Sequence, residues 1–284
     1  MENRTLYMAT FGVGTTLALL LLLRIVQRVI TPGHTVARDL RSANGAYRLL
    51  QVGDVFAVFL VSAAVVKNNV TGEALGTDLL WTSIFGACAL VLLQVVGRLG
   101  ARTLLRGQLF SELDRGNVAA GVAAGAHMIA TGILASRAMT GSDVRGLGLA
   151  FAFFALALVT HLAFVTLFRA LTTYDDAEQI QGGNLAAALS YAGISVAVAV
   201  LVARAVEGDF AGWLVSLRGY LGVVLCALAL YPVRQIVVQS LLLGGAPSFR
   251  GGALDDEIAE RNEGMGALEA VTYLAAALAI AALA

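Results

Sequence analysis

Eight long apolar runs decide what this chain can become. They cover residues 5–30, 44–67, 79–104, 116–139, 146–171, 182–204, 213–243 and 263–284. Crossing the hydrocarbon of a bilayer takes roughly 20 apolar residues as a helix. Inside lipid every backbone polar group needs an internal partner, which a helix supplies from within one segment. Only 13% of the residues are charged against 58% hydrophobic, and a water-facing domain carries about 25% charged residues. The expectation is an all-α, polytopic membrane protein with eight transmembrane helices and the bilayer as its principal partner. The first run is too long for a cleaved signal peptide, and its arginines follow the apolar core rather than precede it.

The same composition narrows the functions. Formal net charge is zero, so there is no basic face for nucleic acid. No CxxC, HExxH, GxSxG or Walker loop occurs, and "GVGTT" (12–16) lacks the lysine of a phosphate loop. Neither a metal, a cofactor nor an enzymatic reaction is expected. Cys88 and Cys226 read as small buried thiols. Basic residues favour one side: thirteen flank the loops after spans 1, 3, 5 and 7, against six on the other side. The positive-inside rule then puts those loops in the cytoplasm of a bacterial inner membrane and both termini outside. Trp81 and Trp213 fall where the outer aromatic belt belongs.

A repeat organises the runs. Shifted by 140 residues, Asn44 meets Asn184, Gly53 meets Gly193 and Ala63 meets Ala203. A shift of 136 pairs Gly86 with Gly222 and Arg98 with Arg234, and a shift of 145 pairs Asn117 with Asn262. The chain therefore reads as two tandem four-helix repeats, 1–145 and 146–284. Each has an even number of spans, so a pseudo-twofold along the membrane normal is expected. Within each unit, Asn44, Asn117, Asn184 and Asn262 stand where a polar link gives way to an even-numbered span. The favoured reading is helix capping, because the first N–H groups of a helix lack intrahelical acceptors. The Gly and Ala after each Asn permit close helix approach and make a homo-oligomer conceivable.

Ionisable residues at membrane depth are candidate functional groups by default. Asp54 and His127 lie ten residues past their capping Asn, about 15 Å deep at 1.5 Å per residue. Glu269 and His161 come out at about 10–12 Å. Gln51 shares the face of Asp54. Asp54 and His127 are expected to meet across the axis of the first repeat, as a pair able to relay protons or bind a cation. The simpler reading is that all five make interhelical hydrogen bonds that fix packing. Arg98, Arg169 and Arg234 read as link-side anchors for helix C-termini and headgroups. Pro232 is expected to kink the seventh span. In the acidic stretch 248–262, Leu254 and Ile258 fall on one side of a short amphipathic helix, although a solvated lead-in to the last span is the plainer expectation.

"VITPGHTVARDLRSANGAYRLL", "LLQVVGRLGARTLL" and "SELDRGNVAAGVAAGAHMIATG" together resemble the YjfL-type bacterial inner-membrane proteins, domain of unknown function 350. Thr31-Pro32, the polar link ending in Asn and the later Asn-x-Ala-Ala-Gly carry the similarity. Residues 172–284 are similar to a second copy in which Thr172-Thr173 replaces Thr-Pro and "RNEGMGALEA" replaces Asn-x-Ala-Ala-Gly. The resemblance implies an envelope-stress setting with PspA-type or glutathionylspermidine-synthase-like proteins as cytoplasmic partners. Two functions follow as expectations. One is a small pore or proton- or cation-linked transporter using Asp54, His127, His161, Glu269 and Gln51. The other is a non-catalytic membrane scaffold that docks partners through its links.

Overall fold

The computed structural model describes residues 2–208, 210–246 and 248–283. Among them the regular structure is helical. The spans are α1 (Glu2–Ile30), α3 (Gly45–Asn69), α4 (Leu75–Leu104), α6 (Val118–Ala138), α7 (Val144–Ala170), α9 (Leu185–Ala205), α10 (Trp213–Leu242) and α12 (Glu263–Leu283). Eight helices are thus long and apolar enough to cross a membrane. Four short helices on one side of the bundle complete the fold: α2 (Val36–Arg41), α5 (Leu109–Asp114), α8 (Asp176–Gln181) and α11 (Ala253–Ala259).

The repeat is therefore finer than a four-helix unit. Each quarter of the chain is an outer span, a short link helix, a capping Asn and an inner span. The link helices are the part that apolar periodicity did not reveal, since each is only six or seven residues long. Side chains satisfy the starts of three of them. Gln27 Oε1 accepts from the Val36 N–H at the head of α2 (3.0 Å), and Gln239 Oε1 accepts from Leu254 in α11 (3.1 Å). Asp175 does the same for Glu178 in α8 (3.0 Å). Leu254 and Ile258 are buried under α11, so residues 253–259 form an amphipathic helix and not a solvated lead-in.

The inner helices α3, α6, α9 and α12 pack in series, each against the next. Their backbones touch. A Cβ built on Gly53 would lie 2.4 Å from the Gly125 carbonyl oxygen, one on Gly121 2.6 Å from Ala46 Cα, and one on Gly266 2.3 Å from the Ala186 carbonyl oxygen. This is the small-residue packing that substitutes for the hydrophobic effect between helices in lipid. The outer helices α1, α4, α7 and α10 lean on the row. Two are irregular. A π segment at Leu93–Gly97 interrupts α4, and a 3-10 turn at Ala227–Ala229 and a π segment at Gln235–Leu242 flank Pro232 in α10. Proline has no N–H for the preceding turn, which accounts for the break there.

The expected pseudo-twofold is replaced by a head-to-tail order. Asn44 Nδ2 donates to the Leu113 carbonyl (2.6 Å), Asn117 Nδ2 to that of Ile180 (2.8 Å) and Asn184 Nδ2 to that of Ile258 (2.8 Å). Each acceptor stands four residues before the next Asn. A twofold would make the two middle hairpins meet through like faces, whereas this ladder always runs forward. It ends at Asn262, whose amide donates to Glu257 Oε2 of its own link (2.7 Å). The result is an open row.

Candidate functional site

Each capping Asn works in two directions. Asn44 Oδ1 accepts from Ala46 and Tyr47 (3.0 and 3.1 Å), Asn117 Oδ1 from Ala120 (3.3 Å), Asn184 Oδ1 from Ala187 (3.2 Å) and Asn262 Oδ1 from Met265 (3.3 Å). These bonds satisfy N–H groups at the head of each inner helix. In the first three the amide nitrogen is the tie to the next hairpin described above. Asn117 and Asn184 also donate to the side chain five residues earlier, Glu112 and Gln179, both at 2.8 Å. Asn is suited to this position because its side chain can both accept and donate.

Deeper in the membrane the polar residues form three separate centres between the inner row and the outer helices. In the first, Asp54 is wholly buried on α3. It accepts from Arg98 (2.9 Å), Gln94 (3.1 Å) and Gln27 (3.2 Å). Gln27 also donates to Gln51 Oε1 (2.9 Å), and Gln51 donates to Asp39 on α2 (2.7 Å). Asp39 in turn approaches His34 at 3.4 Å. A continuous polar chain thus joins the link surface to the middle of α3.

The second centre lies between the middle hairpins. His127 Nδ1 is 3.2 Å from the Tyr191 hydroxyl, and His161 Nε2 donates to the Ser195 carbonyl (2.9 Å). The two imidazole rings are 6.0 Å apart. His127 Nε2 and His161 Nδ1 are buried and find no partner among the described residues. The side chain of His127 fits only because α4 has a glycine beside it: a Cβ on Gly100 would fall 2.1 Å from Nε2. Arg169 sits over the Tyr191 ring at 4.7 Å and pairs with Asp176 of α8.

In the third centre Arg234 is wholly buried on α10. It donates to Glu269 Oε1 on α12 (2.6 Å) and pairs with Asp255 of α11. Asp255 also accepts from the Thr173 N–H (2.9 Å), which ties the third hairpin to the fourth. Beside this centre, burial pushes the Tyr174 phenol above its ordinary range. At the surface, the Glu178 N–H and the Arg106 guanidinium hold the Asp175 carboxyl below the usual value.

Several expectations need correction. Asp54 and His127 do not pair; each has other partners, and the reason is geometric. They occupy equivalent positions on helices related by a forward step, so their side chains point in parallel rather than toward one another. Arg98, Arg169 and Arg234 are not membrane anchors. They turn inward and neutralise buried acids. Cys226 is exposed rather than buried, and both cysteines are free thiols. Sequence reasoning passed over Gln27, Gln94, Asp39, Asp176, Tyr191 and Asp255. The available signal was the pairing of Arg98 with Arg234 in the repeat, which asks for a counter-charge in each copy. It also passed over Asp78, buried at the far end of α4, which accepts from the Thr71 and Gly72 N–H groups (2.9 Å each) and from Tyr7 (3.1 Å).

These features define an integral membrane protein made of helical-hairpin repeats, with paired charges buried between its inner and outer layers. The chain belongs to the family described as Domain of Unknown Function (DUF350), whose model matches twice in tandem, over residues 2–139 and 142–284. It is similar to the UPF0719 transmembrane protein of Aquifex aeolicus (strain VF5), 26% identical over 172 residues, which is 60% of this chain and 62% of that protein. The chain thus spans less than two thirds of that relative's length. No solved structure matches.

Proposed function

We propose that this protein is a non-catalytic membrane scaffold that presents its link face to a cytoplasmic partner. The observation that carries this reading is the forward ladder of capping asparagines. It fuses four link helices into one surface and locks that surface to a row of helices whose backbones touch. The inner helices stand in series and not in a ring, and most of the deep charges are spent on one another. Such a body is a rigid platform, the arrangement repeat proteins use to offer extended binding surfaces. The platform is polarised. Arg38, Arg41, Arg48, Arg102, Arg106 and Arg115 outnumber Asp114 among the exposed charges of its first half, while Asp175, Glu178, Asp256, Glu260 and Glu263 outnumber Arg250 and Arg261 on its second. The basic half supports placing this face in the cytoplasm of a bacterial inner membrane. Partners of the PspA or glutathionylspermidine-synthase-like type fit the setting that the family resemblance suggests.

The second reading, a proton- or cation-linked passage, is favoured by one observation: the two unpartnered imidazole nitrogens of His127 and His161. One pair of experiments separates the readings. Full-length protein in nanodiscs is tested for capture of a purified PspA-type partner, and in proteoliposomes for proton and cation flux. A scaffold captures the partner, loses it when Arg38 and Arg41 are changed to Glu, and keeps it in His127→Ala. Flux in the wild type that His127→Ala and Asp54→Asn abolish, with the protein still folded, overturns the scaffold in favour of transport.

A further inference from the structure

On the side opposite the links, the two copies differ in how their outer helices meet. In the first copy α1 packs against α4. Leu19 Cδ2 lies 3.2 Å from where a Cβ on Gly86 would sit, and Tyr7 donates to Asp78 across the pair. In the second copy α7 and α10 touch through Phe153–Trp213 and Tyr220–Thr160 but leave space between those contacts. Gly222, which the repeat aligns with Gly86, has no atom within 4 Å of a Cβ position, and neither has Gly219. Between α7 and α10 opens a crevice of about 840 Å³, within the roughly 300–1,000 Å³ typical of small-molecule sites.

The walls and the end of this crevice differ in character. Leu149, Ala150 and Phe153 of α7 face Val215, Gly219 and Val223 of α10. At the rim, Phe153 stacks on Trp213 with ring centroids 6.0 Å apart, and Phe210 meets Trp213 edge-on at 5.2 Å. At its inner end Tyr220 donates to Thr160 (2.6 Å). Its polar end holds Lys67, Arg137 and Arg204, one from the last turn of each of the first three inner helices. Arg137 is paired with Glu207 (2.6 Å). Lys67 and Arg204 have no ion-pair partner among the described residues. Among the described lining residues, three cations stand against one carboxylate where an apolar slot reaches the membrane–water boundary.

We propose that this crevice is a binding site for an anionic phospholipid. The phosphate lies against Lys67 and Arg204, an acyl chain runs between α7 and α10, and the aromatic cluster covers the glycerol region. Lysine and arginine bind phosphate oxygens through charge-assisted hydrogen bonds, and aromatic rings favour headgroup depth. The site follows from the order of the helices: the row brings three helix C-termini together, and the splay of one outer pair supplies the slot.

The test uses the full chain in mild detergent, with thermal unfolding and native mass spectrometry read as phosphatidylglycerol, phosphatidylcholine or inorganic phosphate is added. The expected result is at least ten-fold tighter binding of phosphatidylglycerol than of phosphatidylcholine, and no shift with phosphate alone. Lys67→Gln combined with Arg204→Gln should remove the preference. Gly219→Leu, which fills open space, should weaken both lipids while leaving the lipid-free melting temperature unchanged. Equal binding of the two lipids, a preference that survives the double substitution, or a phosphate response matching that of phosphatidylglycerol overturns the proposal.

Discussion

The two copies bury an arginine at the same place in the repeat and neutralise it from different directions. Arg98 finds Asp54, on the inner helix of the preceding hairpin, and Gln94 Oε1, while Gln94 and Gln27 donate to the same acid. Arg234 finds Glu269 on the inner helix that follows it and Asp255 on the link between. The position aligned with Asp54 in the second copy is Ile194. The difference teaches that the arginine is the fixed element of the hairpin and the acid is a movable one. A guanidinium in a nonpolar layer is costly whatever surrounds it, so any acid able to reach its fork will serve. The first copy adds neutral amides around one acid, and the second adds a second acid. The third hairpin shows a variation, with Arg169 paired to Asp176 and laid on Tyr191.

Breaking the third centre should cost most. Arg234→Met strands two buried carboxylates and is expected to remove about 3–5 kcal/mol, read as loss of folded protein on unfolding in detergent. Adding Asp255→Asn and Glu269→Gln should restore much of it. If the triple variant is no better than the single one, the arginine is needed for shape and not charge. Next come the backbone contacts of the row. Gly53→Ala and Gly193→Ala each drive a methyl into neighbouring backbone, at 2.4 and 2.3 Å, and should each cost about 1–3 kcal/mol. Equal losses in the two copies would mark the row as uniform, and a much smaller loss at Gly193 would show that its neighbour Ala270 yields.

Asn184→Ala removes a cap and the tie to Ile258 together, and should cost more than the roughly 1 kcal/mol of a cap alone. Asn262→Ala, at the end of the ladder, should cost only about that much. Hydrogen exchange at the α8–α9 and α11–α12 junctions measures the contrast. The smallest effect joins the copies. Asp175 pairs with Arg106 and caps α8, which lowers its folded carboxyl pKa. Its contribution is therefore present above the unfolded carboxylate pKa and is lost as pH falls through the lower folded value. Asp175→Asn should lower the melting temperature slightly at neutral pH and leave the strongly acid limb unchanged, and added salt should shrink the difference.

The open row also explains why one face is bulky. At the fourth, eighth and fifteenth residues past the capping Asn, α6 has Gly121, Gly125 and Gly132, α9 has Ala188, Ala192 and Ala199, and α12 has Gly266, Ala270 and Ala277. The first inner helix has Arg48, Val52 and Phe59 there, all exposed. No helix precedes α3 in the row, so nothing requires small residues on that side. Terminal units of repeat arrays depart from the pattern for this reason.

The sequence by itself determined the solvent, the number of spans, the repeat and the helix starts. Each is a local property: run length against hydrocarbon thickness, small residues at helical spacing, an Asn where charge ends. It also gave Asp54, His127, His161 and Glu269 similar expected depths, because depth along a helix is counted residue by residue. Their partners were decided by the tertiary structure alone. Azimuth around a helix matters only once neighbours are known, and a forward-stepping row turns equivalent side chains parallel where a twofold would have turned them face to face. The same holds for the inward arginines and for the crevice between α7 and α10. A helix end carrying Arg reads alike whether it faces lipid or a buried acid, and only the arrangement of its neighbours chooses between them.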